Sequence, residues 1–465
     1  MLLLTAALAA EVDTHVEARV IGSLYPSHAL DDEGTTSGQN GVVDTRVRLG
    51  ADLAFNDRDA LHIEGDLFDA QVLGNPWVLG DEDARRRDQK GVLRGSAYVP
   101  RRLSATTALG PVSIEAGLQT SHWGLGLLAN DGAHDPLFGR TDGGDTVLRL
   151  KLATMPLGPE KPLFVVATAD RVYADEIGSW LAGQAAYQGS LAVLWRGDME
   201  LGAYAVYRNQ KEAERRLVTS VGVLDVYGRV PLVQGDTNVA LGWEAVGIMG
   251  NTSRAASYNA TDGLAVSSAG ALGQLAVERG PIWGVLRGGY ATGDGNPYDE
   301  GTHDFSADPN MNVGFVLYDE VLGTIDARAY QQLDDPGNIG QPPGGAETIA
   351  AEGAWRRSVF AQPVIAWTGP VEVKLGAVLA WGTTPYAQPF TSGRAGGNPT
   401  THLNDPWSGS YHLGTELDWS VSWTKDTDKA GFDVLAQGGY ALPGAALGME
   451  ENLVMLHTLQ LRARM

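Results

Sequence analysis

Residues 411–424 read Tyr411-His-Leu-Gly-Thr-Glu-Leu-Asp-Trp-Ser-Val-Ser-Trp-Thr424. Alternate positions hold Tyr411, Leu413, Thr415, Leu417, Trp419, Val421 and Trp423. The positions between them hold His412, Gly414, Glu416, Asp418, Ser420 and Ser422. Successive side chains of a strand point to opposite faces of a sheet, so a period of two separates these sets. Aromatics bound the apolar face at both ends, where the interfacial girdles of a lipid-facing strand lie. The stretch predicts a membrane strand, lipid on one side and a polar lumen on the other.

The same pattern recurs along the chain. Val43, Thr45, Val47, Leu49, Ala51, Leu53 and Phe55 alternate with Asp44, Arg46, Arg48 and Asp52. Leu201, Ala203, Ala205 and Tyr207 alternate with Glu200, Tyr204 and Arg208, and Val373, Leu375, Ala377, Leu379 and Trp381 with Lys374 and Gly376. Segments 162–173 and 352–368 alternate poorly. About eighteen strands result, an even number as in bacterial barrels. Short connections such as Asn56-Asp57-Arg58, Gly110-Pro111 and Arg279-Gly280 alternate with long ones such as 123–143, 294–351 and 383–408. Short turns on one rim and long loops on the other are the outer-membrane pattern. The expected fold is an all-β, antiparallel up-and-down transmembrane barrel with both termini periplasmic. Within 294–351, the apolar stretch from Val313 suggests a loop folded inward or a short helix at the mouth.

Composition agrees with this plan. The 465 residues include 60 glycines, 12 tryptophans and 15 tyrosines. Glycine costs about 1 kcal/mol in a helix interior, so this is not a helical composition. No segment supplies the roughly 18 apolar residues of a membrane helix, which leaves a closed barrel as the way to span lipid. The chain has no cysteine, which excludes disulfides and thiolate metal sites. A net charge of −22 argues against nucleic-acid binding, which needs a basic stripe. Residues 1–10, Met1-Leu-Leu-Leu-Thr-Ala-Ala-Leu-Ala-Ala10, read as the end of a secretory signal, with Ala7-Leu8-Ala9 as the small-x-small cleavage pattern and no basic n-region. The barrel is then a single domain over 11–465.

Two blocks go beyond periodicity. The first is His122-Trp-Gly-Leu-Gly-Leu-Leu-Ala-Asn-Asp-Gly132, followed by Gly144-Asp-Thr-Val147. It resembles the signature of a poorly characterised family of myxobacterial outer-membrane barrels. The second is Ala291-Thr-Gly-Asp-Gly-Asn-Pro-Tyr-Asp-Glu300 with Phe305 beyond it. It is similar to a pattern of alginate-export-type barrels, which implies eighteen strands and an acidic polysaccharide as cargo. The last strand departs from the outer-membrane habit by ending in Met465 rather than an aromatic.

Candidate functional residues follow from the faces. Arg46, Arg48, Arg94, Arg149, Lys151 and Lys374, with Arg462 and Arg464, fall on polar faces. Lining a lumen, they form a positive ladder attractive to anions. Paired instead with inward acids such as Asp44, Asp52, Glu64, Asp66, Glu416 and Asp418, they fill and stiffen it. His122, Trp123, Asn130 and Asp131 form a loop motif, with Trp123 expected as an interfacial anchor and His122 in the lumen or loop. Asp294, Asn296 and Asp299 space oxygens as a weak Ca2+ site would, and a solvated acidic loop is the plainer alternative. No other cofactor is expected. Neither Gly-x-Ser-x-Gly nor His-Glu-x-x-His occurs, so no enzymatic activity is expected. The expected function is a channel or exporter for a polar solute, with an anionic solute as the narrower expectation. Its partners would be outer-membrane lipid, that solute or polysaccharide, and the barrel-assembly machinery. The alternatives are a structural or adhesive barrel with a filled lumen, or an outer-membrane hydrolase.

Overall fold

The computed structural model describes residues 11–28, 40–74, 95–141, 143–158, 160–175, 178–181, 183–212, 217–253, 260, 262–295, 299–323, 354–384, 409–448 and 452–465. The predicted signal at 1–10, Arg94, Asn296 and much of the two longest loops lie outside the described residues.

The strands are β1 (Glu11–Tyr25), β2 (Asn40–Ala54), β3 (Ala60–Gly74), β4 (Gly95–Leu109), β5 (Val112–Thr120), β6 (Thr146–Thr154), β7 (Leu163–Ala174), β8 (Gln184–Arg196) and β9 (Glu200–Glu212). They continue as β10 (Val218–Val233), β11 (Asn238–Thr252), β12 (Leu264–Arg279), β13 (Ile282–Ala291), β14 (Gly301–Thr302), β15 (Ser358–Thr368), β16 (Glu372–Gly382), β17 (His412–Asp426), β18 (Gly431–Pro443) and β19 (Val454–Arg464). β14 has two residues and lies parallel to β12. The eighteen long strands pair antiparallel with their neighbours, β13 joins β15, and β19 returns to β1. Closure leaves no unpaired edge, which is what lipid demands of a sheet. Glu11 faces Ala54 beside the first short turn, and Arg464 faces Glu17, so both ends of this sheet lie on the short-turn rim.

Local chemistry makes these turns tight. At 55–59 the Asn56 Oδ1 accepts from the backbone N–H of Arg58 and Asp59 at 2.8 and 3.0 Å. The Asp59 carboxylate accepts from Thr107 at 2.6 Å, which holds its pKa below the ordinary value. Gly110 and Gly280 open two-residue turns with φ of +59° and +57°, a positive value that the first position of a type II′ turn takes.

The outer surface is apolar. Leu148, Leu191, Leu286, Ile365, Leu375 and Leu417 are exposed on it. Exposed Tyr98, Tyr187, Tyr207, Tyr290, Trp381 and Tyr411 ring the long-loop side, with Trp367, Trp423 and Phe432 toward the short turns. This is a lipid-facing band between aromatic girdles.

Leu413 corrects one detail of the expected alternation. It is 1% exposed and sits in the interior, although Leu417 of the same strand is 59% exposed. The register between β16 and β17 steps from Ala380↔Gly414 to Trp381↔His412, a bulge that leaves Leu413 without a direct partner on β16 and turns it inward. The poorly alternating β15 has an equally local cause. Val359, Ile365 and Trp367 face out, while Phe360, Val364 and Ala366 are buried inside. Both faces are apolar because the inner one packs against the chain's own loops.

Those loops hold the core. Phe305, Met311, Val313, Phe315, Val316, Leu317, Tyr318, Val321 and Trp355 cluster with Leu127 and Phe138 against Phe360, Val364, Val378, Leu413 and Leu456 of the wall. A π-helical turn, Leu317–Leu322, is part of this plug. Aromatic edges interlock within it, with Trp355 against Phe360 at 5.0 Å and Tyr318 against Phe360 at 6.4 Å between centroids.

Candidate functional site

The site is the lumen, and its two walls differ. On β1–β7 the inward positions carry ion pairs fixed by strand register. Arg48 lies opposite Asp66 and grips it with two bonds, of 2.7 and 2.9 Å. Arg149 lies opposite Asp170 and does the same at 2.8 Å twice. Arg46 donates to Glu17 at 2.7 Å, and Lys151 meets Glu115 at 2.5 Å. Bidentate guanidinium–carboxylate contacts are among the strongest polar pairs available. On the far wall Lys374 is 3.6 Å from Glu372 and lies 6.0 Å from the ring centroids of Phe138 and Trp283. Near the chain's end Asp433 accepts from Arg462 and Arg464 at 2.8 and 3.0 Å. Of the acids named from sequence as pairing alternatives, Asp66 meets the named base Arg48, whereas Asp44 meets Arg140 of the loop at 2.8 Å, and Arg46, Arg149 and Lys151 take the unnamed acids Glu17, Asp170 and Glu115.

Sequence reasoning missed Arg101 and Arg102, which are adjacent yet both serve the lumen. The register steps from Glu64↔Arg102 to Gly65↔Pro100, so Arg101 is the extra residue of a bulge. Arg101 donates to Glu64 at 2.8 Å, and Arg102 to Glu115 at 3.2 Å. No alternation rule places two consecutive side chains on one face.

The described residues of 121–145 cross the lumen. Glu244 on β11 accepts from the backbone N–H of Leu125 and of Leu127, the second at 3.3 Å. Arg101 donates to the Asp131 carbonyl at 2.7 Å. Farther on, Asp135 accepts from Arg462 at 3.0 Å, Gln437 holds both backbone groups of Gly139, and Arg19 donates to the Thr141 carbonyl at 2.9 Å. The second lumenal segment, 305–322, hangs on Glu416, which accepts from the backbone N–H of Phe315, Val316 and Leu317, the last two at 2.8 and 2.6 Å. Arg287 donates to the Asn312 carbonyl at 3.0 Å, and Asn312 to the Arg140 carbonyl at 2.7 Å, which ties the two segments together.

The loop motif takes shape inside this segment. Trp123 is not at the lipid interface, as the sequence suggested. It stacks on Tyr204 at 5.2 Å and donates to Asp225 at 3.2 Å, both inward residues of β9 and β10, because the chain turns into the lumen directly after β5. Buried Asn130 braces the loop, its Oδ1 accepting from Gly132 N–H at 3.0 Å. His122 lies 3.6 Å from Asp131, and its ring centroid is 4.8 Å from that of His134. Burial pushes the His122 pKa down, against the opposing pull of Asp131. Of the second motif, the Asp294 N–H donates to Asp304 at 2.7 Å, and Asp299 accepts from Gly301 N–H at 2.9 Å. Asp299 thereby closes a turn, and Asn296 lies outside the described residues.

With this geometry in view, the fold can be compared with solved structures. OccK8 (OprE) of Pseudomonas aeruginosa matches over 98% of both chains, with a TM-score of 0.54 and 8% identity. A BenF-like porin of Pseudomonas fluorescens Pf-5 matches over 97% of this chain and 98% of its own, at 0.53 and 9%. OpdK of P. aeruginosa, solved with vanillate, gives the same coverage at 0.51 and 9%. This is the fold of the outer-membrane porins. No family model matches the sequence, and no curated protein matches it. A closed eighteen-strand barrel with an apolar, aromatic-bounded exterior belongs in the outer membrane of a Gram-negative cell.

Proposed function

We propose that this barrel is an outer-membrane channel that conducts polar solutes, with a preference for anions set by the β1–β7 wall. One observation carries the proposal: charged side chains that face inward still meet water. Asp52, Arg102 and Lys151 keep 46%, 36% and 33% of their side-chain surface exposed, although their strands place them on the lumen face. Asp135, on the loop that crosses the lumen, is 66% exposed. A lumen packed solid would cover all four. Anion preference rests on Arg102 and Lys151, the water-facing bases of this wall, with Arg46, Arg48 and Arg101 buried behind them. Vanillate, held by OpdK, is an aromatic carboxylate and an example of the class. An acidic polysaccharide, which the alginate-export resemblance implies, is a larger member of it. A passive pore runs down whichever gradient exists, so uptake and export use the same machinery. Insertion of such a barrel engages outer-membrane lipid and the assembly machinery.

A filled, structural barrel is the second reading, and the apolar plug around Phe315 and Trp355 favours it. Planar-bilayer recording separates the two. The channel reading expects stable single-channel current and a reversal potential on the anion side in a salt gradient. Arg102→Glu with Lys151→Glu should move that potential toward cation preference. A folded barrel without current establishes the filled reading, and an unaltered cation preference removes the anionic part.

A further inference from the structure

We propose that His122, Asp131 and His134 form a binding site in the lumen for one borderline divalent transition-metal ion, with Zn2+ as its reference ligand. Among the described residues these three are the group whose ligand atoms converge, all lying within 4.8 Å of one another. The His122 Nδ1 is 3.6 Å from the Asp131 Oδ1. The two imidazoles are tilted by 58° at a centroid distance of 4.8 Å, so they neither stack flat nor point apart. Tetrahedral Zn2+ with bonds of 2.0–2.2 Å holds its ligand atoms about 3.3 Å apart. One edge is therefore nearly set, and closing the others takes rotation of His134, an exposed loop side chain.

The backbone is already fixed for the task. Arg101 ties down the Asp131 carbonyl at 2.7 Å, and the Ala133 N–H donates to the Asp131 Oδ1 at 3.1 Å. Asp145 N–H donates to the Asn130 carbonyl at 3.0 Å, and Ser121 N–H to the Asp145 carbonyl at 3.0 Å, which joins the two ends of the segment. The donor set chooses the ion. Ca2+ and Mg2+ want shells of oxygen, whereas two imidazoles and a carboxylate suit Zn2+, Ni2+ or Cu2+. Three protein ligands leave one coordination position to water or to a passing anionic group. A bound ion would also cross-link positions 122 and 134 of the segment that narrows the lumen.

The test uses the folded, tag-free barrel in detergent, with heat-modifiable gel migration as the folding check and calorimetric titration with ZnCl2, CaCl2 and MgCl2. We expect saturable uptake of one Zn2+ per chain and none of the hard ions at the same concentrations. His134→Ala should weaken Zn2+ binding by roughly tenfold or more, and His122→Ala likewise. Asp131→Asn keeps the turn and should cost less. If His122→Ala fails the folding check, His134→Ala alone decides, because its side chain is exposed on the loop. Absence of Zn2+ binding overturns the proposal. So does binding that survives unchanged in His122→Ala/His134→Ala, where the other histidines remain as background, or binding of Ca2+ as tight as that of Zn2+. None of these outcomes depends on whether the barrel conducts.

Discussion

The two walls of the lumen solve the same problem in opposite ways. From β1 to β7, inward charges are matched across neighbouring strands: Arg48 with Asp66, Arg149 with Asp170, Lys151 with Glu115. From β11 to β18, several inward polar groups address the backbone of lumenal loops: Glu244 holds Leu127, Glu416 holds Val316, Gln437 holds Gly139, and only toward the chain's end does Asp433 pair with Arg462 and Arg464. Between those anchors the second wall is apolar, with Phe360, Val364 and Val378 against the plug. Ion pairs need only register and leave room for water. An apolar wall in a membrane barrel needs a cover, and the chain supplies it from its own loops. The comparison predicts that damage to the first wall acts through uncompensated charge, and damage to the second through cavities and lost anchors.

The largest effect is expected on the first wall. Arg48→Ala leaves Asp66, which is fully buried, without its partner, and should cost about 3–5 kcal/mol in urea unfolding. Arg48→Met with Asp66→Leu should recover most of that loss, since a packed apolar pair replaces a buried ionic one at little cost. If the double variant is as unstable as the single one, the pair is not the unit that holds this wall. On the second wall Phe360→Ala should cost about 3–5 kcal/mol, because the plug cannot close over the gap. Ile365→Ala, on the same strand but facing lipid, should lose only its transfer energy, about 2 kcal/mol for three carbons, since lipid refills the space. Equal losses would mean that the plug is as fluid as lipid. Smaller again is Glu416→Gln, which keeps one acceptor oxygen for three N–H donors and should cost about 1.5–3 kcal/mol. Its clearer sign would be in a bilayer, where a loosened plug should give noisier or larger currents than the unaltered chain.

Strands with contrasting faces were more legible in the sequence than strands without, for a physical reason. Alternation reports a difference between two environments, and β2 or β17 has lipid on one side and charge on the other. Arg46, Arg48, Arg149 and Lys151 could therefore be placed on a face, although their partners depend on register, which is a property of two strands at once. β15 faces lipid on one side and an apolar plug on the other, so its sequence carries no contrast. Bulges hid Arg101 and Leu413 by shifting one residue out of phase. His134 was missed because the spacing His122-x8-Asp131-x2-His134 is no known motif and converges only through the path of the loop. Conduction lies further out of reach, since it depends on what remains open after the loops have folded in.

The smallest effect sharpens the comparison at the seam between the walls. His28 follows β1, is buried, and has its Nδ1 3.0 Å from the Pro26 carbonyl. Burial pushes its pKa below the ordinary value near 6.5, and the bond to Pro26 opposes this only in part. The folded chain therefore holds the neutral ring, while the unfolded chain takes up a proton first as pH falls. Stability contributed here is complete above pH 6.5 and declines below it, until the folded imidazole is charged as well. Unfolding midpoints measured from pH 7.5 to 5 should drift down in the unaltered chain and drift less in His28→Gln. Identical drifts would remove His28 as the source of that sensitivity and leave it to groups such as His122, whose pKa burial also lowers.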